Sequence, residues 1–264
     1  MADYVGADCD PAGYRSTPGP LLRLTLMRGF QLTADGRSVP LPHSAQRLVA
    51  FLALHDRPVL RGLVAQTLYA DSSESRLSGN LRTALWRLRR PDRRLVEAVG
   101  DSLTVARGVV VDVHRMAAMA RRIMRAGEVL DMQEVDELAA GGELLPGWYE
   151  DWVVMERERT RQLWLQALEA SSVRLSGAGR HSDAVAVGLA AVEAEPLRES
   201  AHRAVIVAHL AAGNRGEAIR QYRRYASVLS HELRLEPTPE MHAAAHGLDR
   251  IDGADGCDDA VTSA

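Results

Sequence analysis

The 264-residue chain carries 32 basic and 35 acidic residues, a formal net charge of −3, and 46% hydrophobic residues. That length supports two modest domains, and no stretch approaches the roughly 18 continuous apolar residues of a membrane span. The acidic start (Met1-Ala2-Asp3-Tyr4) lacks the apolar core of a secretory signal. Cys9 and Cys257 stand in opposite polar tails, so neither a disulfide framework nor a thiolate metal site is expected. The chain therefore reads as cytoplasmic, with no membrane partner.

The small net charge averages two unlike halves. Residues 22–110 hold 14 Arg against 7 acids, a net of +7, and residues 111–264 hold 17 Arg against 25 acids, a net of −8. Such asymmetry points to a nucleic-acid-binding part joined to a part with another partner.

Residues 1–20, rich in Asp, Gly and Pro, are expected to be a disordered leader. Leu22, Leu24 and Leu26 then alternate with polar neighbours like a half-buried strand. Asp35-Gly36 predicts a hairpin turn, with Val39 and Leu41 on the return strand and Pro40 and Pro42 confining it to an edge. Ser44 can cap a helix carrying Leu48, Val49, Phe51 and Leu52. A second helix is predicted from about Arg61 to Tyr69. Asp71 or the following serines cap a third, with Glu74 placed for a capping box and Pro91 as the stop.

That third helix bears the strongest pattern. Leu77, Leu81, Ala84, Leu85 and Leu88 recur at the spacing of one apolar stripe. Thr83, Trp86, Arg82 and Arg90 project from the other side, flanked by Asn80 and Arg87. Between Arg76 and Arg94 there are seven Arg and one Asp. A helix buried along one edge and lined with guanidinium groups along the other suits DNA phosphates and guanine edges. For Arg93 and Arg94, phosphate contact and a plainly solvated face weigh equally. The segments around Leu95–Val99 and Leu103–Val105, joined by the turn Gly100-Asp101-Ser102 and followed by Arg107, read as a hairpin. Sheet, three helices and hairpin is the order of a winged helix, whose third helix enters the major groove.

From about Asp112 the pattern becomes helical throughout. Helices are expected over Met116–Ala126, Met132–Ala140, Trp148–Leu175 and Pro239–Leu248. Gly179-Arg180-His181-Ser182-Asp183-Ala184-Val185 matches Gly213-Asn214-Arg215-Gly216-Glu217-Ala218-Ile219 at an offset of 34 residues, the period of tetratricopeptide repeats. Residues 250–264 are expected to be a disordered tail. The fold class is thus mainly α with a small β component. A winged helix over 21–111 precedes an all-α repeat domain over 112–249.

These stretches resemble a known family. Leu81-Arg82-Thr83-Ala84-Leu85-Trp86-Arg87-Leu88-Arg89-Arg90 is similar to the OmpR-type winged helix. Leu144-Leu145-Pro146-Gly147-Trp148-Tyr149-Glu150-Asp151-Trp152, Glu156-Arg157-Glu158-Arg159, Gly179-Arg180-His181-Ser182-Asp183-Ala184, Glu195-Pro196-Leu197-Arg198-Glu199 and Glu232-Leu233-Arg234-Leu235-Glu236-Pro237-Thr238-Pro239 resemble the bacterial transcriptional activator domain. The pairing looks like the SARP family, the antibiotic regulatory proteins of actinomycetes. The resemblance implies an activator of secondary-metabolite genes that binds promoter direct repeats in double-stranded DNA, as a dimer on the DNA. RNA polymerase with its sigma factor would be its protein partner. It also implies base reading by Thr83 and Arg87 with Asn80 nearby, and phosphate contacts by Arg76, Arg82, Arg89 and Arg90. The chain departs from the family pattern at Tyr69, where Trp is usual, and at Gly100-Asp101-Ser102, which lacks an aromatic. Without a Gly-rich phosphate loop ending in Lys, it resembles a small, stand-alone member.

Other chemistry has little support. His242 and His246 have helical metal-ligand spacing but no third ligand, and no hydrolase or metalloprotease motif occurs. No cofactor is expected, and no enzyme. Trp148, Trp152 and Trp164 read as core packing, with a ligand pocket as the alternative. The rival function keeps DNA binding but makes the helical array a sensor of a small molecule or peptide.

Overall fold

The computed structural model describes residues 21–70, 72–89, 94–125 and 129–246. The expected leader and tail, both cysteines, the Asp71 cap and the Pro91 stop lie outside these residues. Two compact units emerge. The first holds the described residues up to Thr25 and then Phe30–Val111. The second holds Leu26–Gly29 and the described residues from Asp112 onward.

In the first unit, β1 (Leu22–Thr25) pairs antiparallel with β2 (Gln31–Ala34), Leu24 opposite Leu32. Asp35 and Gly36 both take positive φ, +48° and +78°, as a two-residue hairpin turn requires. The return strand β3 is only Arg37–Ser38. Val39 adds one hydrogen bond to the Leu32 carbonyl at 2.8 Å, and the expected strand through Leu41 does not form. Pro40 and Pro42 have no N–H to extend it.

Helix α1 (His43–Ala53) starts one residue before the expected cap, with Pro42 at the N-cap position, so Ser44 sits inside the first turn. It buries Ala45, Leu48, Val49, Phe51 and Leu52. Strand β4 (Val59–Leu60) precedes α2 (Arg61–Leu68) and α3 (Glu74–Leu88). The hairpin follows as β5 (Val96–Val99) and β6 (Ser102–Val105), with β6 central in the order β4-β6-β5. A last strand, β7 (Val109–Val111), joins β1 in parallel and gives the order β3-β2-β1-β7. Neither β4 nor β7 is visible as an alternating pattern, because two or three residues are too few to alternate.

The second unit comprises α4 (Asp112–Ile123), α5 (Met132–Ala139), α6 (Asp151–Gly177), α7 (His181–Ala194), α8 (Glu199–Ala211), α9 (Arg215–Leu233) and α10 (Pro239–His246). The 34-residue offset is physical. Gly179 and Gly213 take φ +77° and +74°, the left-handed conformation that ends a helix cheaply only at glycine. Ala184 and Ala218, at the same offset, are fully buried. Gly188 permits close helix packing, since a Cβ there would meet Val205 Cγ2 at 2.8 Å. Trp164 is a core residue whose Nε1 donates to the Leu138 carbonyl at 2.7 Å. Trp148 and Trp152 pack edge to face, centroids 6.4 Å apart. Helix α6 begins at Asp151, so Trp148 belongs to the preceding loop.

Two charged groups hold the irregular part of this unit. The Arg157 guanidinium donates to the carbonyls of Leu144, Leu145 and Trp148 at 2.7–2.9 Å and pairs with Glu143 at 2.9 Å. The loop needs such satisfaction because Leu145 and Gly147 both have positive φ, and a non-glycine there is strained. The Asp112 carboxylate accepts from the amides of Leu26, Met27 and Val113 at 2.8–3.0 Å. Burial raises its pKa despite those bonds. Leu26 thereby leaves the strand expected for it and joins the helical unit.

Replacing Arg157 by Ala is expected to lower unfolding free energy by about 2–4 kcal/mol, since several buried carbonyls lose a charged donor. Lysine should recover less than half, because one ammonium does not span a guanidinium fork; urea denaturation checks both. His202 gives a pH dependence. Its buried ring is bonded to the Pro196 carbonyl and to Gln221 Nε2, and burial lowers its pKa from the ordinary 6.5. Below that value the unfolded chain takes up the proton before the folded one, so stability falls as pH drops through and below about 6.5. Urea midpoints measured from pH 7.5 to 5 should decline, and His202→Leu should lower the curve while flattening that decline.

Candidate nucleic-acid interface

Burial of Leu81, Ala84 and Leu88 sets the rotation of α3. At 100° per residue, Trp86 lies roughly 15° from the pole opposite their mean direction. Thr83 and Arg82 lie roughly 50° to either side of that pole, with Arg76 roughly 65° round on the Thr83 side. Arg87 and Asn80 lie further round on the Thr83 flank, and Arg89 on the Arg82 flank. Leu77 and Leu85 are only partly buried, at the margins of the stripe.

The two flanks differ in what they touch. On the Thr83 flank Arg87, Asn80 and Thr83 each have a partner in the protein. Arg87 Nη1 donates to Ser44 Oγ at 2.8 Å, so the serine expected to cap α1 instead steadies this guanidinium. Asn80 Nδ2 donates to Ser72 Oγ at 3.0 Å, and Thr83 Oγ1 to the Gly79 carbonyl at 3.0 Å. Tyr69 lies beside them. Burial pushes its phenol up, while the Arg47 and Arg87 guanidinium groups pull it back.

The Arg82 flank is open. With the β5–β6 hairpin it bounds a cleft of about 1130 Å³ lined by Arg61, Arg82, Trp86, Arg89, Arg94 and Glu97, among others. Four guanidinium groups against one carboxylate give this concavity a positive potential, which focuses anionic ligands. Arg89, just past the helix, is extended rather than helical. At the hairpin tip Gly100 has φ +58°, and the Asp101 carbonyl accepts from the Arg61 amide at 3.0 Å. The Asp101 carboxylate lies 4.0 Å from Arg61 Nε. The tip is thereby tied to the start of α2. Ser102 opens β6 half-buried, and Arg107 beyond it is exposed.

Thr83, Arg87, Arg76, Arg82, Arg89 and Arg94 are all solvent-exposed, with Asn80 half-buried among them. Arg90 and Arg93 lie outside the described residues. The reading from sequence assigned no role to two residues that line the cleft, Arg61 and Trp86. Trp86 had a signal, its place on the outer side of the stripe. Arg61 had none, since it arrives through the β4–β6 pairing. Among the described residues no three His, Cys, Asp or Glu gather as a metal site, and no helix is long and apolar enough to cross a membrane. His242 instead packs on Tyr222, whose hydroxyl is 2.8 Å from its Nδ1.

Residues 106–248 match the bacterial transcriptional activator domain. Regulatory protein AfsR of Streptomyces griseus is 26% identical over 236 residues, covering 85% of this chain and 24% of the relative. Its counterpart in Streptomyces coelicolor is 25% identical over 244 residues, covering 88% and 25%. The chain thus spans about a quarter of the length of these relatives. The structure of Mycobacterium tuberculosis EmbR in complex with low affinity phosphopeptide has a TM-score of 0.69 at 20% identity, over 90% of this chain and 67% of that one. At that identity the likeness is one of fold.

Because Arg82, Arg89 and Arg94 are exposed, their alanine variants should unfold within about 0.5 kcal/mol of the unmodified protein. Leu81→Ala should cost about 2–5 kcal/mol. Chemical denaturation of the four variants side by side checks the rotational setting of α3.

Proposed function

The chain belongs to the bacterial transcriptional activator domain family and is a SARP-type transcriptional regulator, and on that premise we propose that it binds promoter DNA through α3 and the β5–β6 hairpin. The observation that carries this reading is the cleft: four arginines, from the open flank of a helix whose opposite side is buried and from its neighbours, line a concavity shared with a hairpin. In this reading α3 lies in the major groove. Arg87 and Thr83 read base edges, Asn80 steadies the neighbouring turn, and Arg76, Arg82, Arg89 and Arg94 hold phosphates. The hairpin from Gly100 to Ser102, with Arg107, reaches the adjacent backbone.

The protein acts in the cytoplasm, on the nucleoid, as an activator of secondary-metabolite genes. Two copies occupy direct repeats, and the acidic helical unit contacts RNA polymerase with its sigma factor. The rival reading, a helical array that senses a ligand, has a cavity of about 340 Å³ within the second unit, lined by Met27, Leu144, Thr160 and Trp164 among others. Its guanidinium groups already have internal partners, Arg157 on loop carbonyls and Arg161 on Glu158 and Glu195. That leaves little polar chemistry to recognise a ligand, and a protein-contacting role for the helical unit is better supported than a sensing one.

Fluorescence anisotropy on selected and random duplexes tests the assignment. Arg87→Ala should lose about 1–3 kcal/mol on the selected duplex and little on random DNA. Arg94→Ala should weaken both alike and flatten the salt dependence by about one unit. No retention of the unmodified protein on any duplex at low salt overturns the reading.

A further inference from the structure

The side chain nearest the outer pole of α3 is a neutral aromatic one. Trp86 is 71% exposed and stands roughly 15° from the direction opposite the buried stripe. Gly79, two turns earlier on almost the same line, has no side chain to share the position. Among the described residues the cations sit to either side: Arg82 roughly 50° and Arg76 roughly 65° from the pole, with Arg89 and Arg94 toward the hairpin. The charged groups are therefore placed to meet the walls of a groove, which are phosphate. The indole is placed to meet its floor, which is base edge.

Resting on the DNA-binding reading above, we propose that Trp86 is a specificity-determining residue whose indole contacts the C5-methyl group of thymine in the major groove. The chemistry selects that partner. An indole has one N–H donor and no acceptor, so it forms no bidentate pair with guanine or adenine. It has a wide apolar face, and thymine alone among the four bases presents an apolar group on the major-groove edge. Phosphate is a poor partner for a neutral ring when four guanidinium groups stand beside it. The helix then divides its labour by angle, with apolar readout at the pole and charge-assisted bonds on the flanks.

The test begins with a random-sequence duplex pool from which the full-length protein selects its preferred site. That duplex is remade with deoxyuridine replacing one thymine at a time, which removes only the methyl group. With the unmodified protein, one or two of these replacements should weaken binding roughly fourfold, the effect of withdrawing one methyl from an apolar contact. Trp86→Ala should bind the thymine duplex about tenfold less tightly and be indifferent to deoxyuridine at those positions. Trp86→Phe, which keeps an apolar ring, should retain part of the discrimination. Circular dichroism melts of both variants, expected to superimpose on the unmodified protein, separate readout from folding. Equal losses for Trp86→Ala on thymine and deoxyuridine duplexes overturn the inference while leaving DNA binding intact. A selection that enriches no sequence with the unmodified protein overturns both.

Discussion

Burial of Leu81, Ala84 and Leu88 is the constraint from which the character of α3 follows. Three apolar side chains removed from water are together worth several kcal/mol, and turning the helix by one residue would drive Arg82 or Arg89 into the space they fill. An unpaired guanidinium there is far more costly than the packing is favourable. The outward face is therefore fixed as firmly as the inward one, although its residues make few contacts of their own. The two flanks then diverge through their neighbours. One meets the N-terminal turn of α1, where Ser44 receives Arg87, and the other meets the hairpin and stays open.

How much of this was legible in the sequence depended on the length of each signal. The 15-residue α3 shows its stripe plainly, and the 34-residue offset announces paired helices through two glycines and two alanines. The hairpin was legible because its turn demands Gly100. Strands β4 and β7 were not, since pairing partners 42 to 44 and 87 residues away decide them and they are too short to carry a period. At the site, the arginine-rich outer face could be read from angle alone. The bonds from Arg87 to Ser44 and from Asn80 to Ser72 could not, because they depend on how α3 docks against its neighbours.

The second unit shows a different division between apolar and polar forces. Its repeats are held by close packing of small residues, with Gly188, Ala184, Ala201 and Ala208 letting helices approach. Its irregular loop has no such packing pattern and depends on Arg157 instead. A guanidinium satisfies three carbonyls that a helix or sheet would otherwise have paired. The stretch Leu144-Leu145-Pro146-Gly147-Trp148 thus supplies acceptors to one donor, and that donor comes from a second family-like stretch, Glu156-Arg157-Glu158-Arg159.

The placement of Leu26–Gly29 has a consequence for the order in which the molecule is made. These residues leave the ribosome before α1 exists, yet their partners are Asp112, Glu143 and Leu145. The amides of Leu26 and Met27 must wait 86 and 85 residues for Asp112, and that of Arg28 waits longer still, for Glu143. Vectorial folding, one domain finished before the next begins, is closed to this chain in its simple form. For the same reason no single cut separates the two units: a protease or a gene fragment that isolates residues from Asp112 onward also discards the peptide on which Asp112 closes.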